Sequence, residues 1–498
     1  MKKLLIVMVA ALWLLAPTSM YADGGKREFR GAWMQFVNGM YLGKSTAEIQ
    51  QMLTHQLDEL EKDGANAIIF QVRGECDALY ESKIEPWSRY LTGVQGKAPS
   101  PYWDPMAWMI QQCHRRGMEF HAWINPYRAR MKSPTRLADN HILKTHPERA
   151  FEYGGLYVLN PGLKENRDYI LSVVDDIVSR YDIDGIHIDD YFYPYPEGGR
   201  PIPDDREYAL YNNGIADRGD WRRYNVNLFV KEMGEHVHKL KPWVKFGVSP
   251  FGIYRNKKSS PIGSDTNGLQ NYDQLYADVL LWVNNGWIDY CVPQLYWHIG
   301  HPLADYEKLI KWWAKHMANR PLYIGESIEN TVQNSDPANP NTHQMAAKFR
   351  LHRQLRNVSG TVLWYAKVAA EDMGSYGTML RNVYWKSKAL PPYMPFLDSK
   401  APKKPAKVGD AWTEDGLMLY WSAPKAKKWG DEARRYVIYR FAKGEKVNLA
   451  DASKIVKITY DNYYRLPYDG GTKKYKYVVT ALDRVGNESK GAKRKVKL

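Results

Sequence analysis

Two adjacent aspartates follow a short apolar run in the segment GIHIDDY, residues 185–191. Successive side chains of a strand point to opposite faces, so His187 and Asp189 share one face while the isoleucines share the other. Asp190 stands where the run ends and the chain can turn. A pair of carboxyl groups at a strand end suits acid/base chemistry or the binding of a metal ion. We therefore take Asp189 and Asp190 as the first candidates for a catalytic pair.

Polar and aromatic side chains also follow the other short apolar runs of the chain. Glu75 and Glu326 are further candidates for the acid that partners Asp189. A carbohydrate site needs such a mixture, because sugar rings stack on Trp and Tyr, amides bind hydroxyl groups, and two carboxyl groups act on the glycosidic bond. The predicted substrate-binding residues are Gln71, Arg73, Asp77, Asn125, Tyr127, Arg128, His187, Gln294, Tyr296, Trp297 and Trp364.

Eight apolar runs typical of strands alternate with amphipathic helical patterns. The runs are 29–36, 66–72, 119–126, 185–191, 245–251, 289–296, 321–327 and 360–366. Repeated strand-then-helix units indicate parallel strands with crossover helices. Eight such units over about 360 residues predict an α/β fold of the (β/α)8 TIM-barrel type. An open doubly wound sheet is disfavoured, because no Gly-rich phosphate turn follows the first strand, and we expect no cofactor.

The loops of the predicted barrel differ in length at its two ends. Links from helix to strand are short, whereas 73–103, 127–164 and 192–221, which follow strands, are each about 30 residues long. Loops that follow strands gather at the C-terminal face of a barrel, where active sites lie. The two aspartates are therefore predicted at the mouth of the barrel.

Two other functions remain open on the sequence, a deacetylase and a carbohydrate-binding protein. A zinc-dependent polysaccharide deacetylase could use His121, His187 and Asp189 as ligands, although no H-E-x-x-H motif occurs. A Ser-His-Asp hydrolase is disfavoured because the G-x-S-x-G elbow is absent. A carbohydrate-binding barrel without catalysis would share the aromatic residues. We expect no bound metal.

The first residues predict export. Lys2 and Lys3 precede an apolar run of about a dozen residues, too short to cross a membrane comfortably. We predict a signal peptide at residues 1–22, with an uncleaved anchor as the alternative, and a location in the periplasm or at the cell surface. The three cysteines, Cys76, Cys113 and Cys291, cannot all pair and form no C-x-x-C motif, so we expect isolated buried thiols.

The composition changes after a Pro- and Lys-rich segment near residue 395. Short alternating runs then predict a small all-β sandwich over 396–498, behind a catalytic domain at 27–395. YVIYR and YKYVVTALDRVGNES resemble the fibronectin type III fold. This region carries +12 of the formal net charge of +15. In an exported protein we expect such a region to contact an anionic envelope polymer rather than nucleic acid.

Several ordered motifs resemble one known family. The segments ECDALYESKIEPWSRYLTG, HAWINPYR, YDIDGIHIDDYFYP, GVSPFGI and VPQLYW are similar to those of the glycosyl-hydrolase-like family 10 proteins, which are exported TIM barrels. The resemblance covers about residues 27–395. It implies an acidic centre at Asp189 and Asp190, surrounded by Asn125, Arg128 and Gln294. Some members of the family are implicated in cutting the glycan strands of peptidoglycan, so the resemblance implies a polysaccharide substrate in the cell envelope.

Overall fold

The computed structural model of the protein describes residues 25–132, 136–317, 319–426 and 430–498. The predicted signal peptide, and with it the alternative of an anchor, lies outside these residues. Within them, no helix combines the length and the apolar character needed to cross a membrane.

Eight parallel strands close into a barrel, which confirms the predicted fold class. They are β1 (Phe29–Met34), β2 (Ala67–Arg73), β3 (Glu119–Ile124), β4 (Gly185–Ile188), β5 (Lys245–Val248), β6 (Tyr290–Cys291), β7 (Leu322–Ser327) and β8 (Val358–Trp364). Each strand pairs with the next in sequence, and β8 pairs with β1.

Helices connect the strands and form the outer layer. They are α1 (Thr46–Asp63), α2 (Pro105–Arg115), α3 (Lys164–Arg180), α4 (Arg218–Leu240), α5 (Val279–Asn284), α6 (Tyr306–His316), α7 (Met345–Gln354) and α8 (Ala366–Ala370). Local residues define both ends of α1: a capping box joins Ser45 and Glu48 at its start, and Gly64 ends the helix with φ of 94°.

Proline explains why several strands are shorter than predicted. Asn125, Ser249 and Val292 each precede a proline, and β3, β5 and β6 end just before these residues. Proline has no N–H to donate to the ladder, so pairing stops there. Asn125 and Ser249 are thereby left at the mouth of the barrel, whereas Val292 packs in the barrel interior.

The lower part of the barrel interior is filled by aromatic and aliphatic side chains. Phe29 stacks on Tyr323 with ring centroids 4.2 Å apart, and Tyr290 lies beside both rings. Cys76, Cys113 and Cys291 are free and buried, as predicted. The packed interior means that the barrel has a floor beneath its mouth rather than a pore.

Among the described residues of the C-terminal region, seven antiparallel strands form two sheets. One sheet contains β9 (Ala406–Thr413), β10 (Gly416–Ser422) and β13 (Tyr463–Arg465). The other contains β11 (Arg435–Ala442), β12 (Ile455–Thr459), β14 (Lys474–Leu482) and β15 (Ala492–Lys497). An all-β region is thus confirmed, whereas its assignment to the fibronectin type III fold stays a prediction.

The C-terminal region packs against the end of the barrel opposite to the mouth. Tyr460 stacks on His114 of α2, with ring centroids 4.3 Å apart. Gly117 precedes β3, and a Cβ atom there would lie 2.4 Å from the carbonyl oxygen of Ile458. Only glycine allows this approach, so the contact depends on a residue that the sequence marks simply as a helix end.

Candidate active site

A cavity of about 380 Å³ opens at the C-terminal ends of the barrel strands. It is lined by Trp33, Gln35, Val37, Asn38, Gln71, Trp123, Arg128, Met131, Asp189, Asp190, Tyr191, Tyr195, Ser249, Gln294, Tyr296 and Trp364. Both predicted aspartates are among these residues. Consecutive Cα atoms lie about 3.8 Å apart, so the two carboxyl groups are held in one small space.

Asp189 follows the last residue of β4 and is 3% exposed. One carboxylate oxygen, Oδ2, accepts a hydrogen bond from the side-chain amide of Asn125, whereas Oδ1 has no protein partner. Burial and the neighbouring charge of Asp190 raise the pKa of Asp189 to about 7, against the opposing effect of Arg128. A carboxyl group with this pKa can hold a proton at neutral pH and donate it.

Asp190 turns into the same cavity, since β4 has already ended at Ile188. Its Oδ2 atom accepts a hydrogen bond from the hydroxyl of Tyr195, and its Oδ1 atom accepts one from Gln294 at 3.1 Å. Burial raises the pKa of Asp190, and these two hydrogen bonds oppose the rise. The donors stabilise the ionised form of Asp190, in contrast to the free oxygen of Asp189.

A network of amides and one guanidinium fixes Asn125. Its Oδ1 atom accepts hydrogen bonds from Gln71 at 2.6 Å and from Arg128. Gln71 in turn accepts from the backbone N–H of Phe36 at 3.0 Å, and Arg128 donates to the carbonyl of Gly74 at 2.9 Å. Because its oxygen is occupied in this way, the amide nitrogen of Asn125 must point at Asp189.

Aromatic rings form the walls of the cavity. Tyr296 stacks on Trp364 with centroids 6.0 Å apart, and Trp33 meets Trp364 edge to face at 6.1 Å. On the opposite loop, Tyr191 stacks on Tyr195 at 5.4 Å. Flat apolar faces beside amides and carboxylates match a sugar ring, which has apolar faces and a polar edge.

The structure does not bring Glu326 to the cavity. Its carboxylate faces the helices, where it accepts hydrogen bonds from Lys348, from Thr331 at 2.7 Å and from Tyr306 at 2.8 Å. Glu326 shares a strand face with Ile324, and alternation along β7 directs that face outward. A position at the end of a strand therefore does not by itself indicate that a side chain lines the cavity.

Glu75 and Asp77 hold the loop after β2 instead of lining the cavity. Glu75 accepts hydrogen bonds from the backbone N–H of Met131 at 2.8 Å and from Arg89 at 3.2 Å. Asp77 accepts from the backbone N–H of Glu75 at 3.1 Å, and burial raises the pKa of Asp77 to about 6.

Four predicted substrate-binding residues also lie away from the cavity wall. Arg73 is buried against Glu85 in a paired contact at 2.6 and 2.8 Å. Tyr127 packs on Phe229, and Trp297 packs on Phe251. His187 lies beneath the cavity, stacked on Tyr290. His187 lies within β4, whereas Arg73, Tyr127 and Trp297 end or follow a barrel strand, and all four side chains are directed toward packing or ion pairing.

The sequence interpretation missed Trp33, Trp123, Tyr191, Tyr195 and Ser249. Strand alternation could have found the two tryptophans, since Trp33 and Trp123 lie at inward positions of β1 and β3. Tyr191 and Tyr195 stand in the aromatic run that follows the aspartates, but no spacing rule indicates which tyrosine returns to Asp190.

The three ligands considered for a zinc site do not come together. His121 and His187 are both hydrogen-bonded to the hydroxyl of Tyr290, at 2.8 and 3.2 Å. Among the residues that the structure describes, no group of three or more His, Cys, Asp and Glu side chains could hold a metal ion.

Comparison with known proteins places these observations in context. Residues 28–341 match the family model of the glycosyl hydrolase-like 10 proteins. The chain is 38% identical over 507 residues to glycosyl hydrolase YngK of Bacillus subtilis strain 168, an alignment that covers 99% of this chain and 98% of that protein. It is 37% identical over 332 residues to glycosyl hydrolase DigH of Escherichia coli strain K12, covering 63% of this chain and 75% of that protein. Among solved structures, the catalytic domain of β-amylase from Paenibacillus polymyxa aligns over 72% of this chain and 98% of that chain, at 11% identity and a TM-score of 0.46.

Proposed function

This chain belongs to the glycosyl hydrolase-like 10 family, and we propose that it is a glycoside hydrolase whose paired carboxyl groups are Asp189 and Asp190. The observation that carries the proposal is the contrast between the two groups in one cavity. Asp189 has a free oxygen and a pKa of about 7, whereas Asp190 is held by two hydrogen-bond donors.

Each carboxyl group has a role that follows from its surroundings. Asp189 donates a proton from its uncommitted oxygen to the glycosidic oxygen as the bond breaks. Asp190 supplies the negative charge that faces the positively charged sugar carbon in the transition state. A water molecule then adds to that carbon, and the proton it releases restores the acid form of Asp189. Asn125 positions Asp189, and Gln294 with Tyr195 positions Asp190.

We propose the glycan strands of peptidoglycan as the substrate, in an exported location. The support is the predicted signal peptide together with the family resemblance of the motifs. The stacked aromatic walls of the cavity suit a chain of sugar rings.

The test is product analysis. The purified protein is incubated with peptidoglycan that carries or lacks its stem peptides and with a panel of glucans, and released fragments are identified by mass spectrometry. Asp189→Asn and Asp190→Asn should each lower turnover by about 10²- to 10⁴-fold. Asp168→Asn, on the exposed side of α3, is the matched control and should leave turnover unchanged.

The outcome also separates hydrolysis from simple binding. A carbohydrate-binding barrel would retain glycans without releasing fragments, and its affinity would change little on mutation of Asp189. Fragments released equally by wild type and by both variants would remove the two aspartates from the mechanism.

The proposal includes an anionic polymer of the envelope as a partner of the C-terminal region. A groove of about 590 Å³ there is lined by five lysines, Lys443, Lys474, Lys476, Lys495 and Lys497, beside Tyr475. Several like charges around one groove attract a chain of phosphate or carboxylate groups, and salt screens the attraction over about 8 Å under physiological conditions.

This part of the proposal is tested on the full chain. Replacing Lys474, Lys495 and Lys497 together by glutamine should weaken binding to an anionic envelope polymer at low salt, and the difference should shrink as salt rises. Replacing Lys231, Lys239 and Lys315 of the barrel by glutamine changes the net charge equally and is the control. Equal loss in both triple variants would indicate general charge attraction without a site.

A further inference from the structure

A chain of buried hydrogen bonds runs through the barrel interior beneath the cavity. Glu119 contacts Nε2 of His121 at 3.1 Å, and Nδ1 of His121 contacts the hydroxyl of Tyr290 at 2.8 Å. The same hydroxyl lies 3.2 Å from Nδ1 of His187, whose Nε2 atom lies 2.9 Å from the hydroxyl of Ser249. All five side chains are at most 1% exposed, so these hydrogen bonds lie within the packed interior of the barrel.

The lower end of this chain has a fixed charge. The carboxylate of Glu119 accepts hydrogen bonds from Lys245 at 2.6 Å and from Arg435 of the C-terminal region at 2.7 Å. Burial alone would raise the pKa of Glu119, but these two cations outweigh burial and hold that pKa at about 2. An ionised carboxylate can only accept hydrogen bonds.

The ionised carboxylate of Glu119 determines which atom donates in each hydrogen bond of the chain. Nε2 of His121 must carry a proton to donate to Glu119. Burial lowers the pKa of His121, so the ring is neutral and its Nδ1 atom accepts from Tyr290. The hydroxyl of Tyr290 is then left to accept from Nδ1–H of His187, whose pKa is also lowered by burial.

The contacts at the upper end agree with the same direction. The indole N–H of Trp33 lies 3.5 Å from Nε2 of His187. An indole can only donate, so Nε2 of His187 carries no proton. The single lone pair of Nε2 is used mainly by the hydroxyl of Ser249, which at 2.9 Å is much nearer than Trp33, and the hydroxyl proton of Ser249 therefore points down toward it. The lone pairs of Ser249 are therefore left facing the cavity, which Ser249 lines.

We infer that Ser249 is a substrate-binding acceptor in the cavity, and that the buried chain from Glu119 to His187 positions its hydroxyl. Ser249 lies next to the proposed catalytic pair, because Gln294 donates both to the Ser249 carbonyl at 2.9 Å and to Asp190 at 3.1 Å. The ligand group is a donor, a sugar hydroxyl or an amide N–H, on the ring that Asp190 faces. This role in turnover rests on the proposed glycoside hydrolase function.

A double-mutant cycle tests the inference. Ser249→Ala removes the acceptor, and Tyr290→Phe breaks the chain so that His187 is free to reverse its tautomer. Each should lower kcat/KM by about 3- to 10-fold, the effect of one neutral hydrogen bond, mainly through KM. The double variant should resemble Ser249→Ala alone, since the chain acts only through that hydroxyl.

Tyr323→Phe is the matched control. Tyr323 is buried in the same barrel interior, and its hydroxyl has no hydrogen-bond partner among the described residues. It should therefore change kcat/KM less than twofold. Equal effects of Tyr290→Phe and Tyr323→Phe, or additive effects in the double variant, would overturn the inference. Thermal unfolding curves verify that each variant is folded.

Two further measurements do not depend on turnover. The same double-mutant cycle can be measured by calorimetry with oligosaccharide affinity as the readout. This measurement distinguishes a wrong role for Ser249 from a protein that binds glycans without hydrolysing them. In ¹⁵N-histidine spectra of the unliganded protein, His121 should be the Nε2–H tautomer and His187 the Nδ1–H tautomer. The opposite tautomer at His187 would refute the proposed direction of the chain, whatever the substrate.

Discussion

Replacing Asp189 by asparagine should stabilise the folded chain while it removes turnover. The pKa of Asp189 is raised from an ordinary value of 3.8 to about 7, first by burial and then by the charge of Asp190. Each pH unit between the folded and unfolded pKa corresponds to about 1.4 kcal/mol, so the carboxyl group costs about 4 kcal/mol of stability at neutral pH.

The sign of the pH dependence follows from the direction of the pKa change. An acid whose pKa is higher in the folded chain holds its proton more tightly when folded. Asp189 therefore lowers the free energy of unfolding of the wild type progressively as pH rises from about 4 to about 7. Above that range the reduction is constant. Asparagine does not titrate, so the advantage of Asp189→Asn should grow by about 4 kcal/mol over the same range.

The net gain in stability of Asp189→Asn at pH 7 should be smaller than the change in that gain between pH 4 and pH 7. The new amide places an N–H₂ group where Oδ1 of Asp189 has no protein partner, and a buried unpaired donor costs roughly 1–3 kcal/mol. The net gain at pH 7 should then be roughly 1–3 kcal/mol. Because the amide penalty does not depend on pH, the change with pH is the cleaner quantity.

The assay is urea unfolding of wild type, Asp189→Asn and the surface control Asp168→Asn, from pH 4 to pH 8. The free energy of unfolding of the control should follow wild type at every pH. A difference between Asp189→Asn and wild type that stays constant with pH would refute a raised pKa at Asp189, as would a variant that becomes relatively less stable toward pH 7.

Three further outcomes are expected. Turnover should decline as pH rises through about 7, where Asp189 loses its proton; a pH-independent rate from pH 6 to 9 would contradict its role as the donor. Arg435→Met should lower the free energy of unfolding by about 3–5 kcal/mol, because Glu119 then keeps only Lys245 as a buried cationic partner. Lys457→Met, at a partly exposed ion pair, should cost less than about 1 kcal/mol, and equal losses measured by urea unfolding would contradict the buried link. Glu326→Gln should lower thermal stability because Lys348 loses a buried partner, yet leave kcat of the remaining folded protein unchanged; a large fall in kcat would return Glu326 to the site.

The barrel could be predicted because its signals are local. Apolar runs, helix-ending glycines and the prolines after Asn125 and Ser249 each act within a few residues of the chain. The inward direction of Asp189 also follows from strand alternation. The same rule, applied to β7, would have placed Glu326 on the helix-facing side beside Ile324.

Side chains on long loops could not be assigned in this way. Glu75 and Tyr195 both follow strands in polar, aromatic stretches of sequence. Tyr195 reaches Asp190, whereas Glu75 turns to the backbone of Met131, 56 residues away along the chain. Such partners depend on how separate loops pack, and no periodicity records that packing.

The role of Arg435 likewise could not be predicted from its charge. In the sequence it is one cation of a basic C-terminal region that is expected to attract an anionic polymer. In the structure it is 1% exposed and neutralises Glu119 inside the barrel. Arg435 is therefore not available to a polymer, whereas the lysines that line the groove of the C-terminal region are. A chain truncated before this region would leave Glu119 and Lys245 without that cover, so substitutions in the full chain are the better test.

Two buried carboxylates in one barrel thus differ in a way that residue type does not reveal. Glu119 begins β3 at the covered end, where two cations hold its pKa at about 2. Asp189 follows β4 at the open end, where its neighbour is another carboxylate and its pKa is about 7. Stabilisation by cations produces a permanent charge, which orders the hydrogen bonds above it up to Ser249. At the mouth Arg128 only partly offsets burial and the charge of Asp190, which leaves Asp189 a proton that can be transferred. The position of the cations therefore determines that the carboxyl group at the covered end is a permanent charge and that the one at the mouth can transfer a proton.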